Sequence, residues 1–103
     1  MTPEGYEKSK VKKFLSHVGA YQFWPVQTGY GASTVDCIAC IHGRFVGIEV
    51  KKEGYHPSSF TARQRASLNA IFSAGGLVFA GTGEEIIKAI TSWLLKSAPV
   101  AAK

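Results

Sequence analysis

No apolar run in this sequence approaches the roughly 18 residues that a membrane-spanning helix needs. The N-terminus, TPEGYEK, lacks the apolar stretch of a secretory signal, so a cytoplasmic protein is expected. Acidic residues are few, 7 Asp and Glu against 12 Lys and Arg. The resulting net charge of +5 suits an acidic partner, nucleic acid first among them. No internal repeat, low-complexity tract or linker divides the chain. Its 103 residues make one domain, and an apolar fraction of 46% is ordinary for a folded protein, which argues against disorder.

Cysteine is almost absent. Cys37 and Cys40 form a lone CxxC that invites a zinc or thiol-redox reading. No second CxxC or His pair completes a zinc set. The stretch around them reads as a strand, where residues three apart point to opposite faces, so the two sulfurs cannot share a metal or a disulfide. They are expected to be two small buried apolar residues.

What the chain does contain is Thr34 to Lys52, TVDCIACIHGRFVGIEVKK, around which the rest is organised. Two runs rich in Val, Ile and Phe meet at His42-Gly43, a pair suited to a tight turn, so the stretch reads as a hairpin. With a two-residue turn, Ile41 faces Arg44, Asp36 falls opposite Glu49, and Thr34 opposite Lys51. Asp36, Glu49 and Lys51 then share one face. Opposed carboxylates with Cβ atoms roughly 5 Å apart repel unless a positive charge sits between them. A hard divalent cation such as Mg²⁺ is held by one or two carboxylates, with waters and phosphate completing its shell. With the nearby lysine, such a site suits a phosphodiester.

The first helix is expected over residues 3–18, with Thr2 as N-cap, Pro3 in the first position and Gly19 past its end. Val11, Phe14, Leu15 and Val18 form its apolar stripe. Glu4 falls in line with Val11 and Leu15, and Glu7 lies near Phe14 and Val18, so either carboxylate can point inward. Both can equally serve only to complement the positive helix end. Tyr21–Gln27 reads as a first strand, with Pro25 suiting an edge or bulge. Residues 28–33, TGYGAS, lead into a strand rather than a helix and lack a third glycine, so a nucleotide cradle is discounted. Tyr30 is there to stack on a base or sugar.

Residues 53–60 read as a loop broken by Gly54 and Pro57, with Tyr55 and His56 able to touch a substrate or to be surface alone. A second helix is expected over 62–74, its apolar face Leu68, Ile71 and Phe72, its start a capping box from Thr61 to Gln64. Leu77–Ala80 reads as a short buried strand. Thr82–Glu85 caps a last helix whose Ile86, Ile87, Ile90, Trp93 and Leu94 feed the core. The tail from Ser97 is expected to fray.

The order helix, three strands, helix, strand, helix carries an acid, a Glu-x-Lys and a following glutamine. It resembles the PD-(D/E)XK nucleases, and within them the VRR-NUC family with its small stand-alone phage members. The resemblance runs from Thr2 to about Gly83 and rests on TPEG, Gly31 to Asp36, Ile48-Glu49-Val50-Lys51, Thr61 to Gln64, and AGG at 74–76. Val35 stands where the family often has proline before the acid. The resemblance implies an α/β (α+β) fold with a restriction-endonuclease-like core and a mixed central sheet flanked by helices. It implies a Mg²⁺- or Mn²⁺-dependent DNA endonuclease, with branched or four-way junction DNA among its candidate substrates, acting as a homodimer in the host cytoplasm if phage-encoded. Asp36, Glu49 and the Val50 carbonyl would hold the metal, with Glu4, or else Glu7, as the helix carboxylate. Lys51 would orient or deprotonate the attacking water, and Gln64 would position Lys51 or the water. Nucleic acid would meet Lys8, Lys12, Tyr30, Lys52, Arg63 and Arg65. A nucleic-acid-binding module with an inert acidic cluster is the alternative.

Overall fold

A computed structural model of the chain describes residues 1–26 and 34–97. Tyr30 and the rest of the 28–33 connection, Gln27, and the tail beyond Ser97 lie outside the described residues. The elements are α1 (Pro3–His17), β1 (Tyr21–Phe23), β2 (Cys37–Ile41), β3 (Arg44–Val50), α2 (Ala62–Ser73), β4 (Leu77–Gly81) and α3 (Gly83–Ser97), with a 3-10 turn at Pro57–Ser59. The sheet order is β1-β2-β3-β4; β1, β2 and β3 pair antiparallel and β4 runs parallel to β3. This is the mixed sheet with flanking helices expected above.

Local chemistry starts the helices. The Thr2 hydroxyl accepts from the Gly5 N–H, ahead of Pro3. Thr61 and Gln64 form a reciprocal capping box, and Thr82 and Glu85 form another. The hairpin turn has positive φ at both central residues, 49° at His42 and 84° at Gly43, as a type I′ turn requires. That turn sets the register: Ile41 pairs with Arg44 and Cys37 with Ile48.

Alternation along the strands then builds the core. Cys37, Ala39 and Ile41 of β2, with Val46, Ile48 and Val50 of β3, pack on Val11 and Leu15 of α1 and Ile86 and Ile90 of α3. Each Val, Leu or Ile among them contributes about 1.5–3 kcal/mol on burial. The intervening positions of β3 point the other way, toward α2. A Cβ at Gly47 would fall 2.5 Å from Ile71 Cδ1, so the glycine lets the Ile71 side chain seat directly on the sheet. The same parity sends Glu49 to the α2 side. No helix among the described residues is long and apolar enough to cross a membrane.

Several expectations change. The first strand stops at Phe23 instead of Gln27, because Pro25 has no N–H to donate to the ladder. Thr34 and Lys51 are not a ladder pair: β2–β3 pairing ends at Cys37–Ile48, and the Lys51 N–H goes to Gly81 O in β4 at 2.7 Å. Phe72 is 65% exposed and contributes no core, since α2 turns only Leu68 and Ile71 partly inward. Leu77–Gly81 is partly buried rather than buried, as an edge strand with one neighbour.

The cysteines are also only half as expected. Cys37 is buried but Cys40 is exposed on the opposite face, beside Tyr21 and Phe45. Burial pushes the Cys37 thiol up to about 11. Iodoacetamide at neutral pH is therefore expected to label one thiol, Cys40, in the folded protein and both in denaturant. Cys37→Ala should cost about 1 kcal/mol and Cys40→Ser almost nothing. Stoichiometric zinc in purified protein, lost from the double variant, would contradict the strand geometry.

Candidate active site

One step beyond the last β2–β3 pair, side chains replace backbone in holding the hairpin together. The Val50 N–H donates to Asp36 Oδ2 at 2.9 Å, and the Asp36 N–H donates to Glu49 Oε1 at 3.3 Å. Each carboxylate thus closes the ladder on the opposite strand, which places the two side by side. Glu49 is 2% exposed. Its carboxyl is pushed up to about 7, first by burial, then by the Asp36 charge and a hydrogen bond between the two side chains; the Asp36 N–H and the Lys51 charge pull the other way.

Gln64 ties this pair to Lys51. Its Nε2 donates to Glu49 Oε2 at 2.8 Å, while its Oε1 accepts from Lys51 Nζ at 3.0 Å and from the Thr61 N–H at 3.0 Å. The amide orientation is dictated by this network, because reversing it would set an NH₂ against two donors. One residue therefore caps α2 and bridges Glu49 to Lys51. Lys51, 8% exposed, also donates to Ser59 O at 3.1 Å, and its Nζ lies 4.7 Å from the centre of the Phe60 ring. Tyr55 packs edge-on against Phe60 and donates to Glu85 Oε1 at 3.2 Å, which anchors the 53–60 loop to the start of α3.

The two helix glutamates separate clearly. Glu7 is buried, accepts from the Gly83 N–H at 2.7 Å and pairs with Lys10. It satisfies the N-terminus of α3, so the helix end it complements is not its own. Glu4 is on the Asp36 side: Lys8 Nζ lies 3.5 Å from Glu4 Oε2 and 3.7 Å from Asp36 Oδ1.

Of the residues singled out in the sequence, Asp36, Glu49, Lys51 and Gln64 come together, with Glu4 reached through Lys8. The Val50 side chain is in the core, and its N–H serves Asp36. Lys52, Arg63 and Arg65 are exposed. Lys12 lies over the Trp24 ring, 5.0 Å from its centre. Sequence reasoning does not find Ser59 and Phe60 as holders of Lys51, nor the Lys8–Asp36 pair, and no spacing signals them. Among the described residues no group of three or more His, Cys, Asp or Glu side chains forms a metal cluster. The donor set is two adjacent carboxylates, which fits a hard cation that keeps most of its waters.

A comparison with solved structures finds a domain described as "VRR_NUC domain", at TM-score 0.67 over 94% of this chain and 98% of that one. The fold is that of a VRR_NUC domain. Sequence identity is 20%, so the likeness is one of fold. No family model and no curated protein matches the chain. The chain's own element order is α-β-β-β-α-β-α, and the match spans nearly all of it.

Proposed function

We propose that this chain is a Mg²⁺- or Mn²⁺-dependent endonuclease that hydrolyses DNA phosphodiester bonds. The observation that carries the reading is the Gln64 amide joining Glu49 to Lys51 beside Asp36, an acid–amide–ammonium arrangement at the buried end of the β2–β3 hairpin. The likeness to a VRR_NUC domain supports it.

Asp36 and Glu49, with the Val50 carbonyl, would hold the cation, and Glu4 would complete the acidic edge from α1. Bound there, a divalent ion lowers the pKa of water and stabilises charge on the phosphoryl oxygens. Lys51 spends two of its three donors on Gln64 and Ser59 among the described residues, which leaves one N–H to orient the attacking water and to offset phosphate charge. Gln64 keeps that ammonium pointed at the reacting centre. Lys52, Arg63 and Arg65, with Lys12 and its Trp24 neighbour, would track the phosphate backbone; Tyr30 would stack on a base. Two strands cut symmetrically call for two sites, so a homodimer acting on double-stranded or branched DNA in the cytoplasm is the assembly we favour.

Incubation of supercoiled plasmid with Mg²⁺ or Mn²⁺ should yield nicked and linear products that EDTA abolishes. Linear, flapped and four-way substrates run in parallel would rank the preferred structure. Tight DNA binding without cleavage in either metal would favour a binding module with an inert acidic pair.

A further inference from the structure

Lys8 stands between two carboxylates for a reason that its helix alone does not supply. One turn separates it from Glu4, an ordinary i,i+4 pair. The packing of α1 against β1 and β3 brings the same ammonium to Asp36 Oδ1, just ahead of β2. The second oxygen of Asp36 is already taken by the Val50 N–H, so Oδ1 is the oxygen directed to a cation. Lys51 cannot neutralise it, being held by Gln64 and Ser59 over Phe60. Lys8 is bound differently. Both of its ion pairs are longer than 3.4 Å and its side chain is 33% exposed, so letting go loses little.

We infer that Lys8 is the ion that a divalent metal displaces: it neutralises Asp36 and Glu4 in the metal-free chain, leaves when the metal arrives, and turns outward to a substrate phosphate. This rests on the nuclease reading and deepens it. A divalent ion on Asp36 repels an ammonium a few ångströms away, and Lys8, on two long ion pairs, gives way where Lys51 is kept in place by Gln64 and Ser59. Its release supplies a phosphate contact only when metal is bound, which couples the two ligands: metal tightens DNA and DNA tightens metal by the same factor.

The test is Mn²⁺ binding to the folded protein, followed by the loss of the free-ion electron paramagnetic resonance signal. Removing the competing charge should tighten Mn²⁺ about tenfold in Lys8→Gln. Lys8→Arg should behave as wild type. Lys13→Gln, exposed further along the same helix, should stay within twofold of wild type, which separates a specific competitor from a general change of surface charge. Duplex binding in Ca²⁺ should have a salt slope smaller by about one in Lys8→Gln than in wild type. With EDTA the two slopes should agree, because Lys8 is then occupied by carboxylates. Thermal melts confirm that each variant is folded.

Equal or weaker Mn²⁺ binding in Lys8→Gln, with wild type binding and Asp36→Asn not, would overturn the role of Lys8 while leaving the nuclease reading standing. If neither wild type nor Lys8→Gln binds Mn²⁺, both fall. Mn²⁺ binding that appears only in Lys8→Gln would uphold the displacement in its strongest form.

Discussion

Lys51→Ala is expected to slow metal-dependent cleavage by at least a hundredfold to a thousandfold while DNA affinity stays within a few-fold of wild type. The reason is division of labour. Phosphate affinity comes from many scattered cations, and Lys52, Arg63 and Arg65 are exposed where Lys51 is 8% exposed. Removal of a single preorganised donor facing developing charge commonly costs two to three orders of magnitude, about 3–4 kcal/mol of barrier. Alanine also leaves the Ser59 carbonyl without its side-chain donor and the Phe60 ring without its cation, so a loss of about 1–2 kcal/mol of stability should accompany it. Asp36→Ala and Glu49→Ala should abolish cleavage too. Single-turnover cleavage and fluorescence anisotropy on one duplex read the two quantities separately. A Lys51→Ala protein that cuts at the wild-type rate would show that the chemistry is assigned to the wrong group.

Asp36→Asn, by contrast, is expected to be inactive yet to melt at or above wild type in EDTA at neutral pH. Glu49 holds its proton up to about 7 in the folded chain against an ordinary value of 4.5, because it is buried beside Asp36. A raised folded pKa means that the folded state favours the protonated acid. The stability linked to it is complete below about 4.5, declines as pH climbs, and is gone above about 7. Over that window metal-free wild type should lose on the order of 3 kcal/mol. Asparagine keeps an oxygen for the Val50 N–H and removes the neighbouring charge, at the expense of a partly exposed pair with Lys8. The pH-dependent loss should therefore shrink in the variant. Millimolar Mg²⁺ or Mn²⁺, binding only the folded site, should raise the melting temperature of wild type and do much less for the variant.

Glu49→Gln is not an equivalent test. Both oxygens of Glu49 accept, from the Asp36 N–H and from Gln64, so an amide there sets an NH₂ against a donor whichever way it turns. A loss of about 1–3 kcal/mol is expected from that alone. Thermal melts across pH 4 to 8, with EDTA and with metal, test all three proteins. An asparagine variant that melts clearly lower in EDTA, or a wild type indifferent to metal, would mean that the carboxylates do not share a site.

Much of this is legible in the sequence because it is local. His42-Gly43 accepts positive φ at two successive residues, and that one turn dictates every β2–β3 pair. Since side chains alternate with period two, that register carries Asp36 toward Glu49, one step past the last ladder pair, where side-chain hydrogen bonds complete the approach. The caps at Thr2, Thr61 and Thr82 depend on residues three apart, and spacing reveals them.

What spans the fold is not legible. Glu4 and Glu7 are three residues apart on one helix, and only the docking of α3 sends Glu7 to Gly83 and leaves Glu4 near Asp36 through Lys8. The capping box accounts for Gln64 locally, yet its bridge to Glu49 and Lys51 exists because α2 packs across β3. Cys40 reads as apolar strand, but its exposure follows from α2 lying over β3 and β4, with no helix among the described residues over that part of β2. The proton affinity of Glu49 likewise arises only when folding removes water from two neighbouring carboxylates. Turn geometry and alternation act between near neighbours and can be read from residue order, whereas desolvation and helix docking join residues far apart in the chain and exist only once it is packed.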